Sequence, residues 1–362
     1  MKTSLRSILS KITSGIESPS EQWLARARAH LEVLTKPPGS LGLLEDIAAK
    51  MVSIRGEEFP GPLQKAVYVF AADHGITAEG VSAYPREVTR QMVLNFLSHG
   101  AAINVLAKLH RVEMHVVDVG VDADFDGVNG LLHRKVRRGT RNMLREAAMS
   151  DEELAQALEI GWKLAADAAA QGTNLVAAGE MGIGNTTAAS AIAAVLTHEP
   201  VTRVTGRGTG LDAQAQAHKR EIIEAVIQKH SSAIGAGSRP DPLEVLRCVG
   251  GLEIAAMSGL ILGAAQNGIA IVADGFISTS AAAIAFALEP RVGGYLFAGH
   301  QSEEPGHRVL LDYIGLKPIL SLNMRLGEGT GAVLAMPIIE SAICLYNEMA
   351  TFASAGVSEA KE

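Results

Sequence analysis

Ala66-Val67-Tyr68-Val69-Phe70-Ala71-Ala72 is an unbroken apolar run that closes on Asp73-His74-Gly75. A run of this length without alternation reads as a strand buried on both faces, as in parallel sheets. The pattern recurs at residues 113–119 before Gly120, 174–178 before Gly179, 269–273 before Asp274-Gly275, and 295–298 before Gly299-His300. Residues 319–324, ahead of the glycines around Glu328, read as a sixth strand. Helical spacing fills the intervals; in the clearest case the capping box Ser150-x-x-Glu153 precedes Leu154, Leu158 and Trp162 on one face. Strands alternating with helices predict an α/β, Rossmann-like parallel sheet with helices on both faces. Its chemistry then lies in the crevice at the carboxyl edge, where glycines and polar residues follow the strands.

The chain ends read differently. Ser18-Pro19-Ser20-Glu21 offers a capping box with Pro19 at the first helical position, and Trp23, Leu24, Ala27, Leu31 and Leu34 follow at helical spacing. Lys36-Pro37-Pro38-Gly39-Ser40-Leu41-Gly42 breaks that helix, and a second runs over about residues 43–54. Residues 1–12 read as a short amphipathic helix, without the apolar core of a secretory signal. The most apolar stretch, 254–276, is interrupted by Gln266, Asn267 and Asp274, which predicts a buried helix and strand in place of a membrane span.

Composition narrows the function. Among 362 residues a formal charge of −7 disfavours general nucleic-acid binding, which needs a basic face. The basic run at residues 134–138, with Arg141 beyond it, reads as a solvated face, with an anionic contact as the minority reading. Cys248 and Cys344 are far apart, which fits a reducing compartment and a cytoplasmic location. No H-E-x-x-H or compact Cys/His cluster occurs, so no metal or other cofactor is expected. His74 and His300, each at a strand end, remain a conceivable pair.

Three glycine-rich segments can carry chemistry. Gly179-Glu180-Met181-Gly182-Ile183-Gly184-Asn185-Thr186-Thr187 follows a strand and opens an Ala-rich helix, the setting for a phosphate at a helix N-terminus. A plain turn with Asn or Thr as the cap is the alternative. Glu180 would repel a phosphate, so it reads better as an acceptor for ribose hydroxyls or as a side chain turned away from the anion. Gly206-Arg207-Gly208-Thr209-Gly210 is the second segment, with Lys219 on the following helix as a cation for the same anion; Arg207 has no assignment. In the third, Leu326-Gly327-Glu328-Gly329-Thr330-Gly331, a carboxylate between glycines either reaches a pocket or serves the turn.

Taken together, the segments 36–42, Ala72-Asp73-His74-Gly75, Gly179-Glu180-Met181-Gly182 with Asn185-Thr186-Thr187, Asp274-Gly275-Phe276, and Arg325-Leu326-Gly327-Glu328-Gly329 resemble the nicotinate-nucleotide–dimethylbenzimidazole phosphoribosyltransferase family in order and over nearly the whole chain. The resemblance implies a homodimer with a large Rossmann-like domain, 61–329, and a small helical domain from both chain ends, 1–60 and 330–362. It implies transfer of phosphoribose from nicotinate mononucleotide to 5,6-dimethylbenzimidazole, a benzimidazole-type base, giving α-ribazole phosphate and nicotinate. By position Glu328 is the catalytic base, and Glu180, Gly182, Asn185, Thr186, Gly208, Lys219 and Ser302 bind the nucleotide and its phosphate. Tyr84, Gln91, Met92, Met181 and Leu326 fall around the base-binding wall, and which of Tyr84, Gln91 and Met92 point inward stays open, as does the preferred base.

The chemistry agrees. Nicotinate bonded through its ring nitrogen is a pyridinium and leaves as a neutral ring, whereas a neutral benzimidazole is the poorer partner, and a carboxylate accepting its N–H proton raises the electron density on the attacking nitrogen. A nicotinamide-cofactor dehydrogenase lacks its G-x-G-x-x-G here. A transferase using a pyrophosphorylated ribose lacks its paired acids at a strand end, and a non-catalytic binder would have no need of Glu328.

Overall fold

The computed structural model describes residues 5–208, 210–235 and 239–358. Residues 1–4 of the N-terminal reading, Thr209 of the second glycine-rich segment and residues 359–362 lie outside them. Helices α1 (Leu5–Thr13), α2 (Glu21–Glu32) and α3 (Leu43–Arg55) precede β1 (Lys65–Ala72). Then come α4 (Glu87–Leu97), α5 (Ala102–Leu109), β2 (Glu113–Gly120), β3 (Leu131–His133), α6 (Asp151–Ala170) and β4 (Leu175–Met181). Five helices follow: α7 (Asn185–Thr197), α8 (Val201–Val204), α9 (Ala213–Ile234), α10 (Pro242–Val249) and α11 (Leu252–Gln266). The chain continues through β5 (Ala270–Ala273), α12 (Phe276–Leu288), β6 (Leu296–Ser302), α13 (Pro305–Ile314), β7 (Pro318–Met324), α14 (Thr330–Glu348) and α15 (Phe352–Ala355).

The strands form one seven-stranded parallel sheet in the order β3-β2-β1-β4-β5-β6-β7. The order reverses between β1 and β4, and ligands bind at such switch points, outside the carboxyl ends of the strands. Pairing of Lys65 with Leu175 through Ala71 with Met181 brings those two ends level. The expected strands are all present. β3 is an additional one, three residues long, with no apolar run to announce it. β4 and β5 are buried almost throughout, as continuous apolar runs require, whereas the edge strand β7 exposes Ser321, Leu322 and Asn323.

Small residues permit close layering. A side chain at Gly161 of α6 would strike the Ala256 carbonyl of α11, and one at Gly259 would strike Leu158, so the two helices pack backbone to backbone. The apolar stretch 254–276 resolves into α11 and β5, as expected.

At the N-terminus Ser20 caps α2 by accepting from the Trp23 N–H. The helix therefore starts at Glu21, two residues later than a Ser18 cap implies, and Pro19 precedes it. α2, α3 and the later part of α14 pack together, tied by the Leu34–Thr351 bridge and by a hydrogen bond between the His30 ring and the Tyr346 carbonyl. α1 instead lies on α6 and α11, where Gln266 donates to the Ser14 carbonyl. The first turns of α14 lie against the sheet, so this helix connects the carboxyl edge with the chain ends. Among the described residues two segments have the length and hydropathy of a membrane span. One of them, Glu87–Leu109, is broken between α4 and α5; the other is α14, half buried between the sheet and α3.

Much of the basic run 134–138 is neutralised within the chain. Lys135 pairs with Asp118 at 3.1 Å, Arg138 with Asp124, and Arg137 with Glu153 at 3.5 Å. Arg141 forks onto Glu153 as well.

Candidate active site

Three strand-to-helix or loop segments meet over the carboxyl ends of β4, β5 and β6 and enclose a cleft of about 440 Å³. The first leaves β4. Glu180, the penultimate residue of the strand, is only 6% exposed and receives a hydrogen bond from the Asn185 side chain. Burial pushes its carboxyl up to about 8, reinforced by the carboxylates of Glu253, Asp274 and Glu328 and opposed by the Asn185 bond. Gly182 passes so close to the Ala72 carbonyl that no side chain fits there. Gly184, at φ 95°, ends the turn as the N-cap of α7 with no side-chain cap, so the alternative of an Asn or Thr cap does not hold. In the first turn of α7 the Asn185 and Thr187 N–H groups donate to the Gly182 and Gly184 carbonyls, and Asn185 and Thr186 line the cleft.

The second segment brings Gly208 and Lys219 to the same turn. Lys219 reaches across from α9, fully buried, and its ammonium donates to Thr186 Oγ1 at 2.7 Å. Burial lowers it to about 8, and the Glu304 carboxylate partly offsets this. Glu304 also accepts from the Gly208 N–H at 3.0 Å, so a carboxylate already engages the donor suited to an anion. Ser302, at the end of β6, lines the cleft beside Glu304, and its Oγ accepts from the Glu304 N–H at 3.3 Å. Arg207 is exposed and outside the lining.

The third segment leaves β7. Gly327, Glu328 and Gly329 are consecutively left-handed, with φ of 83°, 63° and 88°. For Glu328 that backbone costs roughly 1–2 kcal/mol, so its neighbours must hold it. Its carbonyl lies against Gly179 of β4, where a side chain would collide at 2.6 Å. The Glu328 side chain is 7% exposed and lines the cleft. Burial pushes its carboxyl up to about 7; a hydrogen bond from the Ile103 N–H at the start of α5 lowers it and Asp274 raises it. Its Oε2 has no hydrogen-bond partner among the described residues.

An apolar wall closes one side: Tyr84, Val88, Met92, Met181 and Leu326, of which Tyr84 and Leu326 stand half exposed at the mouth. Gln91 does not join it. Val88 and Met92 are four residues apart and share the inward face of α4, and Gln91, one residue before Met92, is turned by about 100° to the exposed side. Val88 could have been found from that spacing. Asp274, His300 and Glu304 were also unassigned, although Asp274 and His300 follow apolar runs as Glu180 does. Glu304 carries no sequence signal, since its partner Gly208 is distant in the chain.

His74 and His300 are separately engaged. His74 is buried against Glu253 at 2.6 Å, and burial is overcome by Glu253 to raise its pKa; His300 lies 3.9 Å from Asp274. Among the described residues no group of His, Cys, Asp and Glu is spaced to hold a metal ion.

A family model described as phosphoribosyltransferase matches residues 16–357. The nicotinate-nucleotide–dimethylbenzimidazole phosphoribosyltransferase of Geobacter sp. (strain M21) is 52% identical over 351 residues, covering 97% of this chain and 99% of that protein. This chain belongs to that phosphoribosyltransferase family. The enzyme of the same name from Geobacter sulfurreducens is also 52% identical, over 97% of this chain and 99% of its own length. The crystal structure of CobT from Thermus thermophilus superposes with a TM-score of 0.89 at 47% identity, covering 94% of this chain and all of that one. The match over residues 16–357 takes in the whole sheet and every segment that builds the cleft.

Proposed function

We propose that this chain transfers the phosphoribosyl group of nicotinate mononucleotide to 5,6-dimethylbenzimidazole, releasing nicotinate and α-ribazole 5′-phosphate for the nucleotide loop of cobalamin. Membership of the family supports the substrates. The observation that carries the mechanism is a buried carboxyl, Glu328, with one oxygen unpartnered among the described residues, in the same cleft as a lysine-backed helix N-terminus.

In this reading Lys219, the Thr186 and Gly208 N–H groups, Gly182 and Ser302 hold the phosphate, and Glu304 yields the Gly208 donor to it. Glu180 and Asn185 receive the ribose hydroxyls; the Glu180 carboxyl at about 8 is largely neutral at pH 7, which removes its repulsion from the phosphate. Tyr84, Val88, Met92, Met181 and Leu326 clasp the flat base. Glu328 takes the N–H proton of the base, whose other nitrogen attacks the anomeric carbon. The bond from that carbon to the pyridinium nitrogen breaks, and its electron pair stays on nicotinate, which leaves neutral at the ring. Attack opposite the leaving group turns a β-nucleotide into an α-nucleotide, and holding both rings in line is chiefly positioning.

The same reading carries a homodimer, a cytoplasmic location and a small helical lobe formed from the chain ends. Chromatography of purified protein with nicotinate mononucleotide and a panel of bases tests the activity. Nicotinate release that needs a base supports transfer, and the fastest base identifies the preferred acceptor. Release that ignores the base, or none, sinks the proposal.

A further inference from the structure

We infer that Asp274 is the positioning residue for Glu328, acting as the N-terminal cap of α14 from another strand. The N-cap of α14 is Gly329, which has no side chain to satisfy the first N–H groups of the helix. Asp274, at the end of β5, takes that place: its Oδ2 accepts from the Gly329 N–H at 3.2 Å and its Oδ1 from the Ala332 N–H at 2.9 Å. The Gly331 N–H is directed to the same carboxylate. These bonds bracket a backbone that is left-handed at Gly327, Glu328 and Gly329, a shape that Glu328 does not adopt unaided. Asp274 is itself 1% exposed, and the His300 ring packs against Gly331 so tightly that a side chain there would strike it. Loss of the cap therefore lets the turn relax and draws the Glu328 carboxyl away from the base.

This inference rests on the reading of Glu328 as the base, and a double-mutant cycle separates the two. In Asp274→Asn the amide accepts from one N–H but not from both. The expected result is a kcat about ten- to a hundred-fold lower, as for a misplaced catalytic group, with the KM for nicotinate mononucleotide within about three-fold. In the Glu328→Gln background the same substitution adds no further loss, because its effect passes through Glu328. A full, multiplicative loss in that background overturns the positioning role and leaves the base reading intact. Wild-type turnover in Glu328→Gln alone overturns the base reading.

Amide hydrogen exchange in the unaltered protein checks the cap without any variant. Slow exchange at Gly329 and Ala332, comparable to the β4 amides, is expected. Fast exchange, as at an uncapped helix start, overturns the cap even if Asp274→Asn does not fold.

Discussion

The turns that follow β4 and β7 are built alike and hold their carboxylates in opposite ways. Each runs from a strand through glycines into a helix whose N-cap is a left-handed glycine, Gly184 in one and Gly329 in the other. Each presents one glutamate to the same cleft. Glu180 belongs to the strand, with ordinary backbone, and its carboxyl head is tied to Asn185. Glu328 belongs to the turn, where the backbone is tied, by Asp274 and against Gly179; its carboxyl takes a hydrogen bond from the Ile103 N–H, and Oε2 is left without a partner among the described residues. A carboxylate whose head is already bonded suits fixed recognition; one held by its backbone with a spare acceptor suits taking a proton. The lesson is that restraint and reactivity divide between the main chain and the side chain.

Breaking the freer of the two should have the largest effect. Glu328→Gln keeps the shape and removes the acceptor. Turnover is expected to fall about 10²- to 10⁴-fold, the usual contribution of a general base. Affinity for nicotinate mononucleotide, measured by calorimetry, should stay within a few-fold. A parallel loss of binding would mean that Glu328 holds the nucleotide.

Lys219→Ala comes next. It removes the ammonium behind the β4 turn and should weaken nucleotide binding about ten- to a hundred-fold, as for a hydrogen bond to a charged group, with a smaller effect on turnover at saturation. Because burial lowers this lysine to about 8, nucleotide affinity of the unaltered protein should decline as pH rises past 8. Unchanged affinity in the variant removes Lys219 from the phosphate site.

Glu180→Gln sharpens the comparison through stability. The folded-state pKa of Glu180, about 8, lies above the ordinary carboxyl value, so its favourable contribution is complete below about 4.5 and is lost as pH rises through 8. Glutamine does not ionise. The variant should therefore unfold at a higher temperature than the wild type at pH 9, with a much smaller difference at pH 5. A difference independent of pH would contradict the buried, neutral acid.

Much of this arrangement was legible beforehand. The apolar runs closing on glycine revealed the sheet and its functional edge, and the glycines flanking Glu180 and Glu328 marked both turns. Short-range patterns sufficed there because strands buried on both faces and left-handed turns constrain their own residues. β3 escaped because three residues make no pattern. Gln91 was expected in the wall because a helix places one residue of three inward and spacing alone did not say which. Asp274 lies 55 positions before Gly329 in the chain, and only the pairing of strands brings a cap from β5 to a helix after β7. The neutralised basic run shows the same limit, since Glu153, which takes both Arg137 and Arg141, stood out only as a capping residue.

The most direct test of the division between the two glutamates is the pH dependence of kcat/KM for the base, measured at saturating nicotinate mononucleotide in the wild type and in Glu180→Gln. A general base held near 7 predicts a rising limb centred close to pH 7 in both proteins, because Glu328 is present in both. A limb that disappears in Glu180→Gln would make Glu180 the proton acceptor and contradict the account.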